Sequence, residues 1–258
     1  MSRYAGFERL KVERLGDGVL DVVCHFVGKH NLYDEKGHTE MARIWPIISH
    51  DPDVKAVVLR GHNRILAGGG TPEMILSTTG EWSRMIDVHQ ETRDIVMGVI
   101  ECSKPVVAAI EGAAVGGVLA AAIVADISVA GNTAKIVDPH TLIGLVAGDG
   151  AAIIWPLLCG MARTKLHLLT GKALDGKGAA DIGLVSLAVE DDIVVERAME
   201  LARKMAVQPQ AAVRWTKHSL NGWLRMATPM FDHSLALEFV TLMGPDIKTL
   251  VKPKPAAT

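Results

Sequence analysis

The sequence of 258 residues holds only three cysteines, Cys24, Cys102 and Cys159, far apart and each among apolar neighbours. That excludes a disulfide framework, offers no metal-ligand spacing and fits a reducing cytoplasm, so each is read as a buried free thiol. Aromatic residues are scarce at 4% against a hydrophobic fraction of 49%, so the core must be built mainly from Ala, Val, Leu and Ile. Neither sign of charge dominates: the net charge is −2 and no tight basic cluster occurs. Binding to nucleic acid or to an anionic membrane surface therefore has no electrostatic basis. A long hydrophobic run is missing as well. The longest apolar stretch, Val106 to Ala125, is interrupted by Glu111 and several glycines, which argues against a membrane span. The start, Met1 to Ala5, lacks the apolar centre of a signal peptide. A cytoplasmic globular protein is the expectation these absences leave.

What is present is periodic. Phe7 to Val12 and Val19 to Phe26 alternate as strands around a turn at Asp17-Gly18. Helical spacing marks Asp34 to Ser49 and Glu81 to Ile100, and short buried strands are expected at Ala56 to Leu59 and Val106 to Ile110. Val118 to Ala125 reads as a buried helix, followed by strands at Ile127 to Ala130 and Lys135 to Val137. Beyond them helices are expected at Met161–Leu169, Ile193–Ala206, Ala211–Met226 and Pro229–Met243. Strands and helices in alternation predict an α/β fold. The expected division is a core over 1–195, a helical region over 196–251 and a disordered tail over 252–258.

Two glycine-bearing loops stand out within this pattern. Ala67-Gly68-Gly69-Gly70 follows the strand at Ala56, and Gly112 to Gly117 follows the strand at Val106. A loop without side chains leaves its backbone N–H groups uncovered and lets a ligand approach the main chain. Two such loops can each aim one N–H at a single oxygen, as stabilisation of an oxyanion requires. The plainer alternative is that both are tight turns for close helix–strand packing.

The ordered set of Ala67-Gly68-Gly69, Lys104 to Ile127, Gly144 to Gly150, Leu169-Thr170-Gly171 and Ala179 to Val185 resembles the crotonase (enoyl-CoA hydratase/isomerase) superfamily. The resemblance runs with gaps from about Phe7 to the final helices. It implies a spiral of ββα turns with a helical C-terminal extension that serves in trimerisation. It also implies an acyl-CoA thioester as substrate, a homotrimer or dimer of trimers, and no metal or cofactor beyond the CoA of the substrate. The oxyanion donors would be the N–H groups of Ala67 and Gly117, with Gly68, Gly69 and Gly116 beside the ligand. Lys29, His30 and Asn31 occupy the stretch that approaches the CoA moiety.

Departures from the family pattern redirect the chemistry. The two hydratase glutamates fall at Ala120 and His140, and Gly70 stands where the family often has aspartate. An alanine transfers no proton, so hydration by a pair of glutamates at those places is not expected. Asp149, in a Gly-Asp-Gly turn, and His140, after Asp138-Pro139, are the remaining acid/base candidates. Their structural alternatives are a helix cap at Ala151 and a loop histidine. His89 and Glu238 are secondary candidates, each with a helix-surface or subunit-contact alternative.

Pro139-His140, Gly148-Asp149-Gly150 and Trp155-Pro156 also resemble the oxocamphor-hydrolase branch, which cleaves a C–C bond of a cyclic diketone without CoA. Three functions follow as expectations: a lyase or isomerase of fatty acid metabolism working through a thioester enolate, a diketone hydrolase, or a non-catalytic acyl-CoA binder.

Overall fold

The computed structural model describes residues 3–251, so the expected tail at 252–258 lies outside the described residues. The strands are β1 (Leu10–Arg14), β2 (Val19–Cys24), β3 (Ala56–Gly61), β4 (Ala67–Gly68), β5 (Val106–Ile110), β6 (Ala113–Val115), β7 (Ile127–Gly131), β8 (Lys135–Val137) and β9 (Leu187–Val189). The helices begin with α1 (Glu35–Ser49), α2 (Pro72–Ser77), α3 (Trp82–Glu101), α4 (Gly117–Ile123), α5 (Ala151–Cys159) and α6 (Met161–Thr170). They continue with α7 (Gly176–Asp181), α8 (Val194–Ala206), α9 (Gln210–Leu220), α10 (Gly222–Met226), α11 (Thr228–Leu242) and α12 (Pro245–Leu250).

Six strands form the main sheet in the order β1-β2-β3-β5-β7-β9, parallel except for the β1–β2 hairpin. A parallel sheet must be covered on both faces, and the strand residues divide accordingly. Leu20, Val22, Val57, Leu59, Ala108 and Ile110 point into the larger core beneath α1 and α3. Their neighbours Val19, Ala56, Val58, Val107, Ala109 and Val129 meet Val194, Ala198, Ala202 and Ala206 of α8 on the opposite face. The four-residue spacing on α8 lines up one narrow stripe of small side chains, which lets the helix lie close to the sheet. The expected division at 195/196 thus falls inside α8.

Each of β3, β5 and β7 turns directly into a short strand of a second sheet, ordered β4-β6-β8. A helix or 3-10 turn follows each pair, so the chain winds as stacked ββα turns. Parallel registers Ala67↔Ala114 and Gly68↔Val115 then place the two glycine segments side by side.

Several boundaries differ from the periodic reading. The first strand begins at Leu10 instead of Phe7, because the Glu8 and Arg9 N–H groups are held by the Glu40 carboxylate before pairing with β2 starts at Leu10. The expected helix Ala211–Met226 is divided at Asn221, whose buried side-chain amide donates to Ile100 O at 2.9 Å. The glycine segments, expected as loops, are partly the strands β4 and β6; pairs this short carry no alternation to detect. Among the described residues no helix is long and apolar enough to cross a membrane.

Candidate active site

A cavity of about 230 Å³ opens between the two glycine segments. Gly68 to Gly70 and Val115 to Gly117 form one wall, and α2 and α3 supply Met74, Val88 and Thr92. The opposite wall is Pro139, His140, Ile143, Leu145, Asp149 and three residues of α11, Glu238, Phe239 and Leu242. A larger hollow of about 490 Å³ lies under α9, where Lys217 and Asp126 are bound to each other at 2.8 Å and no other ionisable side chain lines it among the described residues.

Local structure explains why these side chains meet. His140 opens a 3-10 turn, His140–Ile143, closed by Gly144 in the left-handed region, so it leaves β8 and turns straight into the cavity. Asp149 precedes Gly150, the N-cap residue of α5, and its carboxylate lies within reach of the Ala151 N–H at the start of that helix, so the capping role expected as its structural alternative coexists with its place in the cavity. Glu238 comes from α11, which presses on the Gly148 backbone: a Cβ there would lie 2.4 Å from Ser234 O and 2.7 Å from Glu238 Cβ. Only a glycine allows that approach.

Four ionisable groups are buried together. The His140 Nδ1–H donates to Asp138 Oδ1 at 2.7 Å, while Nε2 lies 3.7 Å from Asp149 Oδ2 and 3.8 Å from Glu238 Oε1. Glu238 Oε2 is buried without a hydrogen-bond partner among the described residues. Burial opposes the imidazolium, but the charges of Asp138, Asp149 and Glu238 outweigh it and hold His140 well above its ordinary value. Burial also raises Asp138, yet the His140 charge and hydrogen bonds bring it below the usual carboxylate range.

Asp149 and Glu238 go the other way. Burial raises Asp149 to about 6, with His140 pulling back only part of that shift. Glu238 is raised by burial, which the His140 charge opposes and the charges of Asp149 and Asp138 reinforce, to about 8. At neutral pH this arrangement holds an imidazolium between two carboxylates, with a protonated carboxylic acid beside them. Two groups whose values straddle neutrality are suited to accept and to donate a proton.

Asp138, His140 and Asp149 have ligand atoms within 4.8 Å of one another, but chelating a cation would break the Asp138–His140 bond that satisfies both. No metal role is built on them.

The other expected residues are distributed unevenly. Gly68, Gly69, Gly116 and Gly117 line the cavity, whereas Ala67 is fully buried one residue behind its wall. Lys29 and His30 are exposed outside it. Asn31 is buried: its Oδ1 accepts from the Phe26 N–H at 2.8 Å and its amide donates to Cys24 O and Leu66 O, both at 2.9 Å. It ties the first glycine segment down and has no group left for a ligand. His89 stands outside the cavity, edge-on to Phe239 with ring centroids 5.0 Å apart. Ala120 is buried on α4 and is not a cavity residue. Asp138 and Tyr33 were not singled out by sequence. For Asp138, the two-residue spacing to His140 is a usable signal, while Tyr33 reaches the site from a distant segment and leaves none.

The model of the enoyl-CoA hydratase/isomerase family matches residues 16–235. The chain is 26% identical to a 1,2-epoxyphenylacetyl-CoA isomerase of Escherichia coli over 86% of this chain and 84% of that protein. It is 30% identical to a probable enoyl-CoA hydratase of Mycobacterium tuberculosis over 80% and 79% of the two chains. Among solved structures, an enoyl-CoA hydratase/isomerase from Mycobacterium paratuberculosis superposes with a TM-score of 0.90 at 29% identity, covering 94% of this chain and 97% of that one. A beta-diketone hydrolase from the cyanobacterium Anabaena, bound to (S)-3-oxocyclohexyl acetic acid, does so with a TM-score of 0.86 at 27% identity and the same coverage. With its stacked ββα turns and paired glycine segments, the chain belongs to the enoyl-CoA hydratase/isomerase family of the crotonase superfamily.

Proposed function

We propose that this protein is an acid/base enzyme acting on an acyl-CoA thioester through an enolate, with Asp149 as the base and Glu238 as the acid. The observation that supports it is the convergence of these two carboxyl groups on His140, with values of about 6 and about 8, in the cavity walled by the glycine segments. Asp149 removes the proton next to the carbonyl, and the carbonyl oxygen takes up the charge against the glycine wall. Glu238 delivers a proton to the far carbon. A shift of a double bond needs only these two transfers, so isomerisation suits the site. His140 remains an imidazolium whose charge steadies the developing anion.

A second reading is hydrolytic cleavage of a C–C bond in a cyclic 1,3-diketone. It is favoured by the similarity to the Anabaena beta-diketone hydrolase, and by a cavity lined with no lysine or arginine among the described residues. Water activated by Asp149 adds to one carbonyl, the C–C bond breaks, and the leaving enolate is protonated by Glu238.

Titration with CoA, together with turnover of a panel of acyl- and enoyl-CoA thioesters and of cyclic 1,3-diketones, separates the readings. Micromolar CoA affinity with thioester turnover supports the first. Diketone cleavage without CoA binding supports the second, and thioester binding without turnover anywhere in the panel overturns both. Assembly as a homotrimer or dimer of trimers is part of the proposal. It is supported by Trp215, Trp223 and Met226, exposed at 67%, 68% and 75% on α9 and α10, and is read by light scattering.

A further inference from the structure

Tyr33 lies before both glycine segments in sequence and spans them in space. Its N–H donates to Gly69 O at 3.0 Å, and the Thr71 N–H donates to Tyr33 O at 2.9 Å, which stitches it to the first segment. Its side chain crosses to the second segment, where the Gly117 N–H donates to the phenol oxygen at 3.4 Å. Both segments are shaped around this ring. A Cβ on Gly70 would sit 3.1 Å from Tyr33 Cε2, and one on Gly116, at φ +71°, would sit 2.7 Å from the hydroxyl. Phe26 and His38 flank the ring, each with centroids 6.0 Å away, and His38 is itself held to Glu91 at 2.7 Å. The hydroxyl oxygen accepts from Gly117, and no acceptor for its own proton lies within hydrogen-bond distance among the described residues.

We propose that the Tyr33 hydroxyl, polarised by the Gly117 N–H, is the donor that meets the substrate carbonyl oxygen, so that the second glycine segment acts on substrate through a phenol. The inference rests on the enolate reading above. As Asp149 takes the α-proton, the C–H electron pair becomes the new C=C bond and the carbonyl π pair moves onto oxygen. The resulting O⁻ accepts the Tyr33 O–H, which keeps its proton. Burial, and after it the charge of Asp149, pushes the phenol above its ordinary value, so it remains a donor through the neutral range. A donor that itself accepts a hydrogen bond is strengthened by polarisation. The opposing arrangement is a plug, in which Tyr33 must leave Gly117 before a substrate oxygen can bind there.

Acetoacetyl-CoA and cyclohexane-1,3-dione, both readily enolised, distinguish the two by ultraviolet difference spectroscopy. The parent protein is expected to show a bound-enolate band with at least one of them. Tyr33→Phe is expected to lose that band and to lower kcat by roughly 10²- to 10³-fold with KM changed only a few-fold, the loss typical of one oxyanion donor. A retained band with unchanged or faster turnover overturns the role of Tyr33 alone, whereas no band with either compound in the parent overturns the enolate reading itself. Should the variant fold poorly, replacement of both tyrosines of the chain by 3-fluorotyrosine strengthens the O–H donor at nearly constant shape. Tyr4, the other tyrosine, donates to Asp51 at 2.7 Å, a residue that does not line the cavity. A larger bound-enolate fraction is then expected, and an unchanged or smaller one overturns the proposal.

Discussion

Replacing Asp149 by asparagine separates catalysis from stability at one residue. The substitution keeps the shape of the carboxyl group and removes both its charge and its proton affinity. General acid/base catalysis typically contributes about 10²- to 10⁴-fold, so kcat/KM is expected to fall by at least about a hundredfold, roughly 3 kcal/mol of barrier. The rising limb of the pH–rate profile, which ionisation of Asp149 places at about 6, should vanish with it.

Stability should move in the opposite direction. The folded value of about 6 exceeds the ordinary 3.8, so the folded form binds more protons in that window and loses stability as pH rises through it. A shift of about two units corresponds to on the order of 3 kcal/mol for this 4% exposed side chain, present in full above the folded value. Asp149→Asn is therefore expected to be more stable than the parent at pH 8, by up to about 3 kcal/mol. Denaturant melts at pH 5 and pH 8, alongside pH–rate profiles on whichever thioester or diketone turns over, measure both effects. Full turnover with an intact rising limb would refute the assignment of the base, and a variant less stable than the parent at pH 8 would refute the argument that the buried charge is a net cost.

Glu238→Gln is expected to abolish the falling limb of activity near pH 8 and to cost at least about a hundredfold in rate. Its raised value means that parent stability declines between the ordinary 4.5 and about 8, a decline the Gln variant should lack in matched melts. Gly148→Ala forces a Cβ to within 2.4 Å of Ser234 O and 2.7 Å of Glu238 Cβ, which must displace α11. A loss of about 1–3 kcal/mol in denaturant stability is expected, with a larger proportional loss of activity because Glu238 moves off His140. An alanine variant with normal turnover would show that the position of α11 does not matter to the reaction.

The fold was largely legible because its long elements carry clear periods. The fully buried strands Val19–Cys24 and Val106–Ile110 and the helices Glu35–Ser49 and Trp82–Glu101 fall close to where hydrophobic spacing predicts them. The segments it did not name are mostly short: β4, β6 and β9 hold two or three residues each and α2, α7 and α12 six each, too few to show a clear period. Asn221 divides α9 from α10 by a hydrogen bond to α3, a partner 121 residues away that no local pattern reports.

Within the site, the residues near one another in sequence were the readable ones. His140 and Asp149 stand nine positions apart in a stretch crowded with Gly and Pro, where departures from helical or strand pattern are visible. Glu238 was only a secondary candidate, because its neighbours Leu235, Leu237 and Phe239 read as an ordinary helix face and nothing local ties it to His140. Asn31 read as a ligand contact and proved to be a buried strut for the first glycine segment.

By itself, the sequence determined the alternation of strands and helices and the two glycine segments, which depend on local composition and spacing, while its resemblance to the family implied the ββα turns and the missing carboxylate at Ala120. Only the tertiary structure decided which carboxyl groups gather around His140 in the cavity. Burial by α11 over the Gly148 backbone brings Glu238 to His140, and the same burial, with the neighbouring charges, moves Asp149 and Glu238 to either side of neutrality. Desolvation and Coulomb energy depend on distance in space, so proton affinities in this site could be read only after the chain was folded.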